Sequence, residues 1–399
     1  MSQCLLIREY FPSNFNPSSS PWVLAQAQSI RLYGYNPLVV SPTPIIPRVV
    51  KKRNQSKHSW GEKPSKIVTD YLGVRVLRPG YVKLPNNRFL RYNLWAMSYA
   101  LSLASKGREF SFIHSHFGHA GIAALPIKKR TKKSIITSFY GFDLGSDLKG
   151  LSVGYKALAN TGDLFIALSE DMKSDLIKAG FPDSRIIVHH LGVDVTHFAP
   201  NTDFPRSGES VTLLVVATFH ERKGIHHAVK GYKTVMNENP GLNIKLRIVG
   251  DGPYKSHIID AIGGDERITM VNNFIAKNPR QMILREMQNC DMFMLTSKTM
   301  PDGDKEGTPV VLMEAQACGK PCISTYHAGI PEIVLHNRTG LLVKEGDIEG
   351  IAQAIFTLST DTEMRRNFGQ NARSHILEYF NHDIQMNKLA KVYDDVSGR

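Results

Sequence analysis

The strongest constraint on this fold is a repeated alternation. Short apolar β-rich runs are each followed by a stretch of helical character, from one end of the chain to the other. In the first half the runs fall at residues 5–7, 37–40, 112–114, 134–137, 164–168 and 185–188. In the second half they fall at residues 211–216, 244–249, 268–271, 292–295, 321–324 and 341–343. Continuous apolar runs belong to strands buried on both faces, hence to parallel sheets covered by helices. The implied fold is α/β, with two Rossmann-like doubly wound domains facing a central cleft. In such folds ligands bind at the carboxyl ends of the strands.

A length of 399 residues suits two such domains. Residues 199–210 are polar, contain proline and read as the linker between them. The domains predicted from this are residues 1–198 and 199–375, followed by a terminal helix over 376–399 that packs back on the first domain. That helix is read from apolar residues near helical spacing at Ile376, Phe380, Ile384, Leu389, Val392 and Val396. Residues 51–66 read as a basic surface insertion.

Composition excludes several classes. A hydrophobic share of 42% and a charged share of 21% describe an ordinary folded chain. No apolar run approaches the roughly 20 residues of a membrane span. The start of the chain reads as a first strand and not as a signal peptide. Cys4, Cys290, Cys318 and Cys322 form no CxxC pair, so buried free thiols in a reducing cytoplasm are expected. The net charge of +13 includes the run Lys128-Lys-Arg130-Thr-Lys-Lys133. No nucleic-acid motif and no interleaved aromatics accompany that charge, so no nucleic-acid partner is expected. A solvated basic face and attraction to an anionic membrane surface both fit it.

The segment richest in chemistry is Glu306-Gly-Thr-Pro-Val-Val-Leu-Met-Glu314-Ala-Gln-Ala-Cys-Gly319. Thr308 reads as an N-cap, Pro309 as the first helical residue and Gly319 as the stop. Glu306 then lies just before a short helix and Glu314 on it. Free N–H groups at such a helix start bind anions. Two carboxylates eight residues apart fit a solvated face as well as a site. Their surroundings are more specific. With Gly319-Lys-Pro-Cys-Ile-Ser324-Thr-Tyr-His-Ala-Gly-Ile-Pro-Glu332, Thr339-Gly-Leu-Leu-Val343 and Val249-Gly-Asp-Gly-Pro253, the segment resembles the group 1 (family 4) glycosyltransferases of the GT-B fold. Within them it looks most like the bacterial exopolysaccharide branch, including colanic-acid-type transferases.

The resemblance implies a retaining transferase. Such an enzyme moves a sugar from a nucleotide-diphosphate sugar, UDP- or GDP-linked, to a saccharide or lipid-linked acceptor, with no metal or other cofactor required. It implies that the second domain binds the donor and the first the acceptor. Glu314 is expected to hold the donor ribose and Glu306 to face the transferred sugar. Gly307 and Thr308 are expected to offer backbone N–H groups. In His220-Glu-Arg222-Lys223-Gly224, Lys223 matches the family lysine that stabilises the leaving diphosphate. The preceding family arginine is replaced by Thr218, and Arg222 is the neighbouring compensating charge. The expected location is the cytoplasm, with peripheral attachment to the inner face of the plasma membrane as an extension.

In Phe112-Ile-His114-Ser-His116-Phe-Gly118-His119, the second histidine matches the family histidine that faces the donor sugar, which assigns His116 a catalytic part. His119 is placed on the acceptor side. As bare residues these histidines also fit a core or a metal reading, although zinc would need further ligands. Asp143 of Tyr140-Gly-Phe-Asp143 is expected either on the acceptor side or as a helix cap. Asp302-Gly-Asp304 mimics a metal-binding DxD, but its loop position favours a polar loop near the sugar. The family's glycine-rich loop after the first strand is replaced by a stretch containing Ser18-Ser-Ser20. Rival readings are a nucleotide-sugar epimerase-like enzyme and a non-catalytic sugar-nucleotide-binding subunit.

Overall fold

The first strand, β1 (Ser2–Ile7), is buried along its last four residues and pairs in parallel with neighbours on both sides. In the computed structural model the described residues are 2–17, 19–47, 63–85, 89–145, 150–201, 210–273 and 278–398. Most of the expected basic insertion (51–62), most of the expected linker (202–209) and Ser18 lie outside them.

The chain forms two compact units, one of Met1–His189 with Met386–Arg399 and one of His190–Gln385. The second unit begins ahead of the polar stretch at 199–210. The reason is that Val193, Val195 and Phe198 are buried in its core.

The first unit holds β1, β2 (Tyr35–Val40), β3 (Thr43–Ile45), β4 (Thr69–Tyr71), β5 (Val74–Leu77), β6 (Gly80–Val82), β7 (Phe112–His116), β8 (Ser134–Ser138), β9 (Leu164–Ala167) and β10 (Ile186–Val188). Eight of these form one sheet in the order β10-β9-β8-β7-β1-β2-β5-β4. It is parallel except where β4 meets β5. The short strands β3 and β6 pair separately. Every residue of β7 is buried, as a central parallel strand covered on both faces requires. The strand order reverses between β1 and β7, and the loops after these two strands share that switch point.

The second unit holds β11 (Val211–Val216), β12 (Ile244–Val249), β13 (Ile268–Val271), β14 (Met292–Leu295), β15 (Cys322–Thr325) and β16 (Gly340–Val343). All are parallel, in the order β13-β12-β11-β14-β15-β16. This is the doubly wound dinucleotide-fold order, with its switch point between β11 and β14. Alternate residues of β11 enter opposite cores. Leu214 and Val216 face one cluster, Leu213 and Val215 the other. Burying each such side chain contributes about 1.5–3 kcal/mol before chain entropy is subtracted.

The expected single terminal helix is instead two, Thr362–Tyr379 and His382–Ser397. The break has a local cause. Val193 N–H donates to the Phe380 carbonyl at 2.8 Å, and His382 N–H donates to the Val193 carbonyl at 3.0 Å. Those bonds bridge the chain at Asn381 to Val193 and interrupt the helical run. The last helix then delivers Met386, Leu389 and Tyr393 to the core of the first unit. Among the described residues no helix is long and apolar enough to cross a membrane.

Candidate functional site

The switch point of the second unit collects most of the expected donor residues. After β11 the chain makes a short 3-10 turn, Glu221–Lys223, and enters the helix Ile225–Glu238 through Gly224 at φ 62°. A Cβ on Gly224 would lie 1.8 Å from the carbonyl oxygen of Thr296, just after β14. Only glycine permits that approach. Thr296 Oγ1 donates to the Gly224 carbonyl at 2.8 Å, and Lys298 N–H to the Arg222 carbonyl at 2.8 Å. The two loops are thereby tied together, and basic and acidic side chains meet across the seam.

Lys223 Nζ lies 2.8 Å from Glu306 Oε1, and Arg222 Nε lies 3.6 Å from the same oxygen. Arg222 also bonds Asp304 Oδ2 at 2.7 Å. Glu306 is only 8% exposed. Burial would raise its carboxyl, but Lys223 and then Arg222 outweigh burial and hold it below the usual carboxylate range. Asp304 of the Asp-Gly-Asp sequence is thus occupied by Arg222.

Two residues not singled out from the sequence complete this group. The Glu306 N–H donates to His327 Nε2 at 3.0 Å, and His327 Nδ1 faces Glu345 Oε1 at 2.6 Å. Because Nε2 accepts, the ring proton sits on Nδ1 and is held by Glu345. Thr299 N–H donates to the other Glu345 oxygen at 2.7 Å. His327 lies inside the motif that carries the family resemblance, but a lone histidine with its acid partner eighteen residues later gives no spacing signal.

The helix that bears Glu314 runs Val310–Ala317, with Pro309 at the cap position and no side-chain cap bond. The expected Thr308 cap is displaced by one residue. Pro309, at φ −74° and ψ 97°, is still extended, so the helix starts after it. Gly307 and Thr308 form the turn between Glu306 and this helix. Gly319, at φ 73°, ends it as expected. Glu314 is half-buried, and its carboxyl is pushed up to about 7 by burial, with Arg280 opposing weakly. A carboxyl so placed can accept hydrogen bonds from a diol.

In the first unit, His116 ends β7 at its switch point. It is fully buried, with Nδ1 2.8 Å from the Tyr140 hydroxyl. Its Nε2 has no hydrogen-bond partner among the described residues. Burial, then His114 and Arg8, push His116 well below its ordinary range, so the ring is neutral. His114 packs against it at 4.4 Å and is enclosed by Ser138 Oγ at 2.8 Å and the Tyr393 hydroxyl at 2.6 Å. Burial takes His114 down to about 3.

His119 lies 3.5 Å from Glu9 Oε2. Glu9 also receives the Tyr81 hydroxyl and, at 3.0 Å, Lys83 Nζ. Asp143 has no exposed surface. It accepts from Gly118 N–H at 2.9 Å and Tyr140 N–H at 2.8 Å. Both oxygens accept from backbone N–H groups, the geometry of the capping alternative.

The serine-containing loop after β1 is built without the family glycines. Arg78 Nη2 donates to the Pro12 carbonyl at 2.6 Å, Arg8 Nε to Ser20 Oγ at 2.8 Å, and Ser19 Oγ to the Tyr10 carbonyl at 2.7 Å. Beneath it is a pocket lined by Tyr10, Ser13, Asn16, Ser19 and Ser41, backed by buried Glu9 and Arg78.

Comparison with known proteins agrees with this fold. Residues 202–375 match the family Glycosyl transferases group 1, and residues 51–197 match Glycosyltransferase Family 4. The chain is 32% identical over 283 residues to WcaL of Escherichia coli K12, named for colanic acid biosynthesis, covering 70% of this chain and 69% of that one. Its fold is similar to sucrose-phosphate synthase from Thermosynechococcus elongatus, with TM-score 0.76, 17% identity and full coverage of both chains. It is similar also to Anabaena Alr3699/HepE in complex with UDP-glucose, with TM-score 0.71, 16% identity, and coverage of 99% of this chain and 100% of that one. The chain belongs to the group 1, family 4 glycosyltransferases, an enzyme family, and has their GT-B architecture of two parallel-sheet α/β units.

Proposed function

We propose that this enzyme is a retaining glycosyltransferase of bacterial exopolysaccharide synthesis, using a UDP- or GDP-linked sugar and a saccharide or lipid-linked acceptor. The observation that carries the reading is the buried Lys223–Glu306 pair beside Arg222, at the switch point of the second unit. The likeness to WcaL supports the pathway, and the UDP-glucose bound by Alr3699/HepE supports the donor class.

In this reading the donor diphosphate takes the place of the Glu306 carboxylate as partner of Lys223. Glu314 accepts hydrogen bonds from the ribose hydroxyls. Glu306, displaced from Lys223, accepts from a hydroxyl of the transferred sugar. The acceptor oxygen attacks the anomeric carbon on the face from which the diphosphate leaves. The bond from that carbon to the phosphate oxygen breaks, and the acceptor proton passes to the departing diphosphate. Lys223 and Arg222 stabilise the charge that develops there, so no metal is needed. The pocket under the serine loop of the first unit receives the acceptor saccharide.

The test is a panel of UDP- and GDP-sugars incubated with and without a polyprenyl-diphosphate saccharide acceptor. Nucleoside diphosphate release that rises with acceptor, with product anomers matching the donor, supports the reading. Sugar interconversion without nucleotide release would support the epimerase-like rival, and tight nucleotide binding with no release the binding subunit.

A further inference from the structure

The helix Leu90–Ala104 is apolar on two faces. Ala96, Met97, Ala100 and Leu101 are buried in the core of the first unit. The opposite side carries Tyr92, Trp95, Tyr99 and Leu103, which are 39%, 63%, 59% and 56% exposed. Their spacing of three and four residues lines them into one stripe about 16 Å long. The rings form a ladder, with Tyr92 and Trp95 at 6.0 Å and Trp95 and Tyr99 stacked at 6.1 Å. A helix apolar all round is ordinarily covered on all sides. Here the outer stripe meets no described residue that would cover it.

Its border is basic. Arg91 stands one turn before Trp95, and Lys106 follows Leu103 directly after the helix; both are exposed. Arg130 runs alongside, bonding Ser102 Oγ at 2.7 Å and Ser105 Oγ at 2.6 Å. Arg130 belongs to the neighbouring helix Gly118–Thr131, whose last turn also carries Lys128 and Lys129. Neither helix contains an aspartate or glutamate.

We propose that this face docks the enzyme on an anionic lipid bilayer, with the helix Leu90–Ala104 lying in the interface plane. Tryptophan and tyrosine rings are the side chains that favour the headgroup level, where one edge is apolar and the other wet. A basic rim supplies the attraction to anionic headgroups. The charge sign selects lipid over a second copy of this chain, because a self-docked face would bring Arg91, Lys106 and Arg130 against their own like charges. The proposal is independent of the donor chemistry, since it is read by binding alone.

The full chain is tested by co-sedimentation with vesicles of phosphatidylglycerol and phosphatidylcholine, against pure phosphatidylcholine, at low and high salt. Light scattering reports the oligomeric state, and circular dichroism reports folding. The expected result is binding to the anionic vesicles that weakens with salt. Trp95→Ser with Tyr99→Ser lowers partitioning about tenfold or more. Arg91→Gln with Lys106→Gln lowers it by roughly 25-fold, at about fivefold per charge. Donor hydrolysis without acceptor is unchanged in both variants. Equal binding to both vesicle types, or retention by the folded Trp95→Ser, Tyr99→Ser variant, overturns the proposal. So does a dimer that this variant converts to monomer.

Discussion

Lys223 Nζ stands 2.8 Å from Glu306 Oε1, inside the second unit and largely shielded from water. An ion pair so buried is a weak source of stability, because desolvation consumes most of the attraction. It is a good device for keeping a cation in place until an anionic ligand arrives. Replacing Lys223 with alanine removes the charge that stabilises the departing diphosphate in the proposed function. Transfer turnover is expected to fall about 10²–10³-fold, the cost of losing one such group. Steady-state assays on the Lys223→Ala variant measure this.

Glu314 makes stability depend on pH. Burial raises its carboxyl to about 7. The unfolded chain keeps it near 4.3. Folding therefore favours the protonated form. The contribution is fully present below about pH 4.3 and is lost as pH rises through about 7. The loss amounts to at most about 4 kcal/mol. Glu314→Gln is expected to melt at nearly the same temperature as the parent near pH 4 and several degrees higher at pH 8. Thermal melts across that range read the sign, and a parent more stable at pH 8 than the variant would contradict it.

His327 fixes the backbone at Glu306. The His327→Ala variant leaves the buried Glu306 N–H without its acceptor, at a cost of about 1–3 kcal/mol. It also loosens the backbone that positions Glu306, the residue that faces the sugar in the proposed function. Turnover is expected to drop while nucleoside diphosphate affinity changes less than about threefold, because the proposed function rests nucleotide binding on Glu314 and Lys223. Glu345→Gln keeps the bond to Nδ1 and is expected to retain more activity than His327→Ala.

Much of this fold is legible in the sequence for a physical reason. The central strands are buried on both faces, so each shows as an unbroken apolar run. The rest lacks that signature. β3 to β6 are short, and β5 alternates Val74 and Val76 with the exposed Arg75. The helical spacing of apolar residues continues across Phe380, which hides the break imposed by Val193. In the site, Lys223 and Glu306 were found because each sits in a local motif. His327 with Glu345, and Glu9 with Tyr81 and Lys83, are joined only by tertiary contact. Asp143 is legible as a cap or an acceptor-side residue, but the sequence does not choose between them, because one of its backbone partners, Gly118, is remote in sequence.

That difference predicts how Asp143 behaves. Asp143→Ala strips the acceptor from two buried backbone N–H groups, each costing about 1–3 kcal/mol. The melting temperature is expected to fall by several degrees, with nucleoside diphosphate affinity unchanged in the protein that remains folded. Calorimetric scans beside a nucleotide titration check both halves.

In the proposed function the two glutamates divide the donor between them. Isothermal titration of UDP and GDP into Glu314→Ala and Glu306→Gln, paired with turnover of the accepted donor, separates their roles. The expected result is an affinity loss of about 10–100-fold in Glu314→Ala. Glu306→Gln should keep nearly full affinity and lose turnover. Equal loss of affinity in the two variants, or full turnover in Glu306→Gln, would contradict the division of roles.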